Sequence, residues 1–387
     1  MRTFDRSGRP PWYHGQVGEQ ALRVLHLYPK QDYFTGAAIQ LRELAWAQRE
    51  QGHEVVVATR PSADWVARTR EAGLAHYELP MSSEVDLRSA RRLVTIIRRH
   101  RIQVVHAHKG RARTLALIAG LFVRIPALVL HRGVSFPLDA FNRLGYATRR
   151  VHAVIVVSTS IKERLVASGI PARKIHVMYP SVDTRVFHPG VDGDGVRAEL
   201  GFAPDDFVVT QIGVRSWKGN DDVIDAMAQV LPKAPHARLL IVGARNPAGL
   251  QARGDGHGIR DAVRIVGYRQ DIPNVLKASD CCIDASWKGL GLTGTLPEAL
   301  AVGRPVLGSD LEGHPEVALP GRTGYLFTPR DPASIAEMIL KLANDPVAAR
   351  AMGEEGRALV LREFDTTVRA RRTEALYRSL LAAPGAA

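Results

Sequence analysis

Cysteine is nearly absent: the 387 residues contain two, Cys281 and Cys282, adjacent to one another inside an apolar run. That spacing does not suit an ordinary disulfide and brings no metal-site partners, so a disulfide-stapled module is excluded and both thiols are expected in a core. Fibrous and low-complexity segments are missing too. No apolar stretch approaches the length that spans a bilayer, and Met1 to Gln20 mixes Arg, Pro, Gly and His without a continuous apolar run. Neither a transmembrane helix nor a secretory signal is therefore expected, which makes the cytoplasm the expected compartment. The dinucleotide pattern G-x-G-x-x-G and the His-Glu-x-x-His type of metal spacing are both lacking.

What is present is length and charge. A chain of this length exceeds what one hydrophobic core usually serves, so two domains are expected. With 45% hydrophobic and 24% charged residues, 34 Gly and 23 Pro, the composition is that of a soluble globular protein with many short connections. The net charge is +13. Residues 1–180 hold 28 Lys and Arg against 13 Asp and Glu, whereas residues 181–387 hold 24 against 26, so the entire excess lies in the N-terminal half. Such an excess suits nucleic acid or an anionic membrane. No nucleic-acid module and no basic-aromatic interleaving accompany it, and nucleic acid is not an expected partner.

Short apolar runs alternate with stretches of helical periodicity, the rhythm of parallel sheets covered on both faces. The first series of expected strands is Leu22–Tyr28, Glu54–Thr59, Gln103–His106, Ala127–His131, Ala153–Val157 and Ile175–Met178. A second follows at Phe207–Gly213, Ala237–Gly243, Val263–Gly267, Cys281–Asp284, Pro305–Ser309 and Gly324–Phe327. Between them, turn formers dominate Tyr179–Gly195. The expected division is an extension over 1–20, an N-terminal Rossmann-like domain over 21–180, a linker over 181–200, a C-terminal Rossmann-like domain over 201–364, and a crossover helix with tail over 365–387. The fold class is α/β, two doubly wound domains facing a cleft, and ligands of such folds bind beyond the carboxyl ends of the strands.

Four constellations sit at such ends. Gly36, in the loop after the first strand, lets the backbone approach a ligand as a helix begins, although the same loop also reads as a plain tight turn. In Gly213-Val-Arg-Ser-Trp-Lys-Gly219 the cations of Arg215 and Lys218 suit a diphosphate. The run Gly289-Leu-Gly-Leu-Thr-Gly-Thr-Leu-Pro-Glu298 leads a glycine-rich loop into a helix. Amides near Thr293, Gly294 and Thr295 can cradle a phosphate there, and Glu298 can accept hydroxyl hydrogen bonds or serve as a helix N-terminal charge. Finally His26, His106, His108 and His131 fall at strand ends, where a histidine is as readily structural as functional. Asp192-Gly-Asp194 lies among turn formers and reads as a solvated turn rather than a metal motif.

The series Gly36-Ala-Ala, Gln51-Gly-His-Glu, Val104-Val-His-Ala-His108, Val157-Ser-Thr-Ser, Tyr179-Pro-Ser-Val-Asp183, Arg215-Ser-Trp-Lys-Gly219 and Pro297-Glu-Ala-Leu-Ala-Val-Gly-Arg-Pro-Val306 resembles the family-4 retaining glycosyltransferases of GT-B fold, over roughly Leu22 to Leu381. The resemblance implies metal-independent transfer of a sugar from a nucleotide-sugar to an acceptor, with no cofactor. It assigns the donor to the C-terminal domain and the acceptor, a cell-envelope glycan or lipid-linked glycan, to the N-terminal one. It places Arg215 and Lys218 on the donor diphosphate, Glu298 on the ribose, Tyr268 and Arg269 in the base pocket and His131 near the reacting sugar. One departure stands out: eight positions before Glu298 the family carries a second Glu that touches the donor sugar, and here that position is Leu290. A homologue with impaired catalysis, acting as a nucleotide-sugar-binding or scaffold protein, is the alternative this raises.

The basic half contains its own pattern. Over Arg88–Arg101, helical spacing gathers Arg88, Arg91, Arg92, Arg98 and Arg99 on one side and Leu93, Ile96 and Ile97 on the other. This is either a solvated face over a core stripe or, with Lys109, Arg111, Arg113, Arg143, Arg149 and Arg150, a surface for anionic lipid at the inner membrane leaflet.

Overall fold

The computed structural model describes residues 21–288 and 291–383. A seven-stranded parallel sheet comprises β1 (Arg23–Tyr28), β2 (Glu54–Thr59), β3 (Ala75–Glu78), β4 (Val104–His108), β5 (Ala127–Arg132), β6 (Ala153–Val156) and β7 (Ile175–Val177), in the order β3-β2-β1-β4-β5-β6-β7. A six-stranded one comprises β8 (Phe207–Ile212), β9 (Ala237–Val242), β10 (Val263–Val266), β11 (Cys281–Asp284), β12 (Val306–Ser309) and β13 (Gly324–Phe327), in the order β10-β9-β8-β11-β12-β13. The order reverses between β1 and β4 and again between β8 and β11, which are the two ligand crevices of doubly wound sheets.

Twelve of these strands coincide with apolar runs, because a sheet covered on both faces buries nearly every residue. The thirteenth, β3, reads Ala-His-Tyr-Glu, and the sequence pattern does not reveal it. It is an edge strand, half-exposed, that pairs with β2 through Val56↔Ala75 to Thr59↔Glu78. An edge strand needs no apolar run and gains from charge that discourages further pairing. The helix Leu87–Arg99 follows the expected division: Leu93, Val94, Ile96 and Ile97 are buried and the five arginines are exposed. Asp86 caps it by accepting the Ser89 amide, which satisfies one of the free N-terminal donors. Residues 181–200 contain a further helix, Asp194–Leu200, whose Val196 packs with Phe202, Val208 and Val275 of the second domain. Cys281 and Cys282 are fully buried and free.

The C-terminal helix, Thr366–Ala382, returns to the first domain. Asp365 caps it at the Thr367 amide and also accepts Thr184 Oγ1 at 2.6 Å, so the linker and the crossover are tied at one carboxylate. Leu376 and Tyr377 then pack among Leu22, Val24, Val104 and Val129 under the first sheet. Buried Arg369 donates to the Gln40 carbonyl at 2.9 Å and to Gln40 Oε1 at 2.7 Å, on the helix Gly36–Glu50. The crossover thereby fixes the element that opens the first crevice.

Candidate active site

The site is assembled from backbone that leaves little room for alternatives. Gly219 follows the β8 loop at φ +64°, and a Cβ there would lie 2.3 Å from the Ala285 carbonyl oxygen. Only glycine permits that approach, and it brings Lys218 beside the end of β11. Lys218 Nζ donates to Asp284 Oδ2 at 2.7 Å. Asp284, the last residue of β11 and 1% exposed, also accepts Thr293 Oγ1 at 2.9 Å, the Ser286 amide at 3.1 Å and the Ser286 hydroxyl. Burial alone would raise its carboxyl; the Lys218 charge and these hydrogen bonds override that and hold it well below the usual carboxylate range.

Glu298 lies in the first turn of the helix Thr295–Ala301, half-buried, close enough to Gly294 that a Cβ there would meet Glu298 Oε1 at 2.9 Å. Burial pushes its carboxyl up to about 7, with the Lys218 charge working against the rise. Glu43, from the helix Gly36–Glu50 of the other domain, faces it. Burial and then the Glu298 charge push Glu43 up to about 8, opposed by Arg369 and Arg42 and by a hydrogen bond from Ser181. The unfolded carboxyl titrates near its ordinary 4.5, so between 4.5 and 8 the native state retains a proton the unfolded chain has lost, and stability falls as pH rises through that window. Denaturant midpoints at about pH 6 and about pH 8.5 are expected to show this loss for the wild type and a smaller one for Glu43→Gln; equal losses would contradict the arrangement.

The other expected residues are placed as follows. Thr293 reaches Asp284, and Gly294 and Thr295 open the following helix. Arg215 shares the loop with Lys218 but is exposed, its guanidinium donating to the Val214 carbonyl at 2.7 Å. Tyr268 is 74% exposed after β10. Arg269 donates to Glu199 at 2.6 and 2.8 Å and to Asp271 at 2.8 and 2.6 Å, and these hydrogen bonds hold its guanidinium charged and leave it locked within the protein. Gly36 is exposed at the first position of its helix, with nothing within 4 Å of where a Cβ would stand. Leu290, with Gly289, lies outside the described residues.

His131 is brought to the same cleft from the first domain. It is half-buried on β5, paired in register with His108, and burial followed by the Arg369 and Lys109 charges brings its imidazole down to about 3, so it is neutral near pH 7. Its Nδ1 has no hydrogen-bond partner. His26, His106 and His108 lie behind it, with ring nitrogens within 4.8 Å of one another. His26 Nε2 lies 2.8 Å from Gln48 Oε1, His26 Nδ1 lies 3.1 Å from His108 Nε2, and His106 Nδ1 lies 2.7 Å from the Tyr377 hydroxyl. Buried Arg369 is the charge that acts on all four imidazoles. A dication there would sit beside a buried guanidinium, whose charge acts on all three rings and whose nearby carboxyl is Glu43, an arrangement that opposes bringing in two more positive charges. Burial lowers all three imidazoles, so the rings form a neutral cluster under the crevice that is hydrogen-bonded except at His106 Nε2, which has no partner.

The two halves meet at this point. A Cβ on Gly291 would stand 2.4 Å from Val157 Cγ2 and 3.1 Å from the Gly133 carbonyl, so the glycine-rich loop packs directly on the loop that follows His131. Two further carboxylates clasp the cleft. Glu312 accepts Ser135 Oγ at 2.6 Å with Arg164 at 3.5 Å, and Glu316 accepts the Thr159 amide and the Tyr179 hydroxyl, each at 2.8 Å. Sequence reasoning missed Asp284, Glu43, Glu312 and Glu316. For Asp284 a signal existed, an acid closing an otherwise apolar strand; for the others the partner comes from the opposite domain.

Two Rossmann-like domains with cation, carboxylate and glycine-rich loop at the facing strand ends define a GT-B glycosyltransferase fold. Comparison with known proteins agrees. The model of Glycosyltransferase Family 4 matches residues 34–186 and that of Glycosyl transferases group 1 matches residues 206–345, together most of the chain. The chain belongs to the family-4 glycosyltransferases.

Among curated relatives, the N-acetyl-alpha-D-glucosaminyl L-malate synthase of Bacillus anthracis is 25% identical over 364 residues, covering 89% of this chain and 94% of that one. An Escherichia coli UDP-Gal:alpha-D-GlcNAc-diphosphoundecaprenol alpha-1,3-galactosyltransferase is 24% identical, covering 76% and 79%. Among solved structures, Anabaena HepE in complex with UDP superposes with a TM-score of 0.82 at 21% identity, over 92% of this chain and 100% of that one.

Proposed function

We propose that the protein is a retaining, metal-independent transferase that moves a sugar from a nucleoside-diphosphate sugar to a cell-envelope glycan or glycolipid acceptor. The observation that carries this reading is the convergence of Lys218, Glu298 and the Gly291–Thr295 loop with His131 across one cleft. Lys218 is the cation that meets the charge developing on the leaving diphosphate, with Arg215 able to join it by turning from its own backbone. Glu298, ionised, accepts the ribose hydroxyls. Neutral His131 is a hydrogen-bonding group beside the reacting sugar, and no side chain need act as nucleophile if the departing phosphate oxygen takes the acceptor's proton.

A thermal-shift series with uridine, guanosine and adenosine diphosphates and their sugars tests the reading, because a ligand of the native state raises the melting temperature by mass action. At least one nucleotide is expected to do so, and its sugar conjugate also; no shift with any of them would contradict the assignment of the cleft.

We infer further that the first domain docks at an anionic membrane surface, on the cytoplasmic side where nucleotide-sugars are made. Among the described residues no helix is long and apolar enough to cross a membrane. The support for docking is a set of exposed basic and apolar residues: exposed Arg88, Arg91, Arg92, Arg98 and Arg99 share a helix with exposed Leu87, and Arg98 donates to the Phe122 carbonyl at 2.9 Å, joining this helix to exposed Leu121 and Phe122. Exposed Phe141 and Leu144, with Arg143, are on the helix Ala140–Ala147. Each well-placed cation contributes roughly 1 kcal/mol at an anionic leaflet. Vesicles rich in phosphatidylglycerol are expected to float the protein at low ionic strength and release it at high; protein left wholly in solution would contradict docking.

A further inference from the structure

The Asp284 carboxylate is filled. Oδ2 accepts Lys218 and Thr293, Oδ1 accepts the amide and hydroxyl of Ser286, and a carboxylate has about four such positions. It therefore has no room for a substrate hydroxyl, and its influence on the reaction runs through Lys218. Close by is a second buried group. His314 is 0% exposed; its Nδ1 lies 2.9 Å from Ser309 Oγ and 3.2 Å from the Ser309 carbonyl. The Ser309 hydroxyl is committed as donor to the Ser286 carbonyl, so Nδ1 of His314 carries the hydrogen. Its Nε2 then presents a lone pair, has no hydrogen-bond partner, and lies 3.9 Å from Asp284 Oδ2. A lone pair aimed at an anion inside a protein is an unresolved contact unless a proton enters it.

The reading of the cleft as a donor site gives that contact a use, and the inference rests on that reading. If the diphosphate draws the Lys218 ammonium away, Asp284 becomes a buried anion with only neutral donors, which is strongly unfavourable if uncompensated. The nearest base that can supply a replacement cation is His314. We propose that Asp284 is a positioning residue that holds Lys218 ready in the empty site and hands it to the donor diphosphate, and that a proton taken up on His314 Nε2 replaces Lys218 as the partner of the carboxylate. Burial does most to keep His314 neutral; the charged groups acting on it are Asp284, which attracts a proton, and Lys218, which repels one, and both changes push toward protonation: the repelling ammonium leaves and the attracting carboxylate is uncovered.

The test is nitrogen-15 NMR of histidine-labelled full-length protein, with the His314 signals assigned by their loss in His314→Gln. Saturating whichever of UDP, GDP or ADP binds is expected to convert His314 from the neutral form protonated at Nδ1 to the imidazolium. Asp284→Asn can keep the Ser286 bonds on its amide oxygen and donate through its amide nitrogen to a turned Thr293 hydroxyl, while it frees Lys218 of its anion. It is expected to bind the same nucleoside diphosphate roughly tenfold more tightly while lowering kcat, whereas a merely structural aspartate would weaken binding when replaced.

Lys218→Met tests the exchange from the other side, should Asp284→Asn fail to fold: with no ammonium to give up, His314 is expected to be an imidazolium already in the empty protein. A His314 that stays neutral with nucleotide bound, or in Lys218→Met, overturns the proposal and leaves the donor site standing; so does weaker binding by Asp284→Asn. If no nucleoside diphosphate binds the wild type, the donor-site reading fails and the exchange falls with it.

Discussion

Lys218→Ala is expected to abolish nearly all sugar transfer, lowering kcat by roughly 10²–10³ while the protein stays folded. The size follows from where the charge sits. The ammonium is half-buried against a buried carboxylate, with Gly219 pressed on the Ala285 carbonyl to keep the loop close. A cation fixed before the reaction costs no reorganisation when charge develops on the departing phosphate. Lys218 is not deep in an apolar core, so its removal leaves no large cavity. The cost to folding is the loss of a partner for Asp284, which the Thr293 and Ser286 hydrogen bonds limit. Steady-state kinetics beside circular dichroism distinguish the two costs. Transfer within a few-fold of wild type would remove Lys218 from the mechanism.

Glu298→Ala is expected to act on binding, raising donor KM by roughly 10²-fold with a smaller fall in kcat. A half-buried carboxylate whose protonation is already favoured by its surroundings is poised between two states near pH 7, and two ribose hydroxyls would fix it in the ionised one. Removing it leaves those hydroxyls desolvated without an acceptor, the costly side of a hydrogen-bond deletion. Glu298→Gln, which still accepts one hydrogen bond, is expected to fall between alanine and wild type. An unchanged KM in both variants would move the ribose elsewhere. Leu290→Glu is the complementary gain: restoring the carboxylate that the family resemblance puts at this position is expected to change donor choice or tighten the donor.

The pattern of what the sequence disclosed has physical causes. Strands announce themselves as Val, Ile and Leu runs where they are buried on both faces, and the edge strands β7, β10 and β13 keep apolar runs although they are only partly covered, which is why β8 to β13 and six of the seven strands of the first sheet are legible. The edge strand β3 has one free side, and Ala-His-Tyr-Glu gives no such sign. Lys218, Thr293 and Glu298 are legible because each lies within a few residues of glycines that only a ligand or a close backbone approach explains. Glu43 sits in a 15-residue helix as an ordinary surface glutamate, and its buried neighbourhood arises from the facing domain and from Arg369, more than 300 positions later. Glu312 and Glu316 carry no sequence signal for the same reason, their partners Ser135, Thr159 and Tyr179 lying in the first domain. Asp284 is hidden differently, by position in an apolar strand that buries it, and only the Lys218 loop folding over the strand end gives it meaning.

The charge asymmetry takes a definite location in the same way. The excess over residues 1–180 is carried partly by one helix whose arginines are all on the outer face, and partly by neighbouring helices that add exposed aromatic and aliphatic residues to it.

The most direct test of the central claim is transfer itself. Purified protein is incubated with radiolabelled UDP-, GDP- and ADP-sugars and an acceptor extract of lipid-linked glycans, and both the labelled product and the released nucleoside diphosphate are followed. One donor is expected to be consumed, its sugar appearing on the acceptor with the anomeric configuration retained and with the rate unchanged by a chelator. Protein that binds a nucleotide yet neither transfers nor hydrolyses any donor, or that inverts the anomeric centre, would contradict the account.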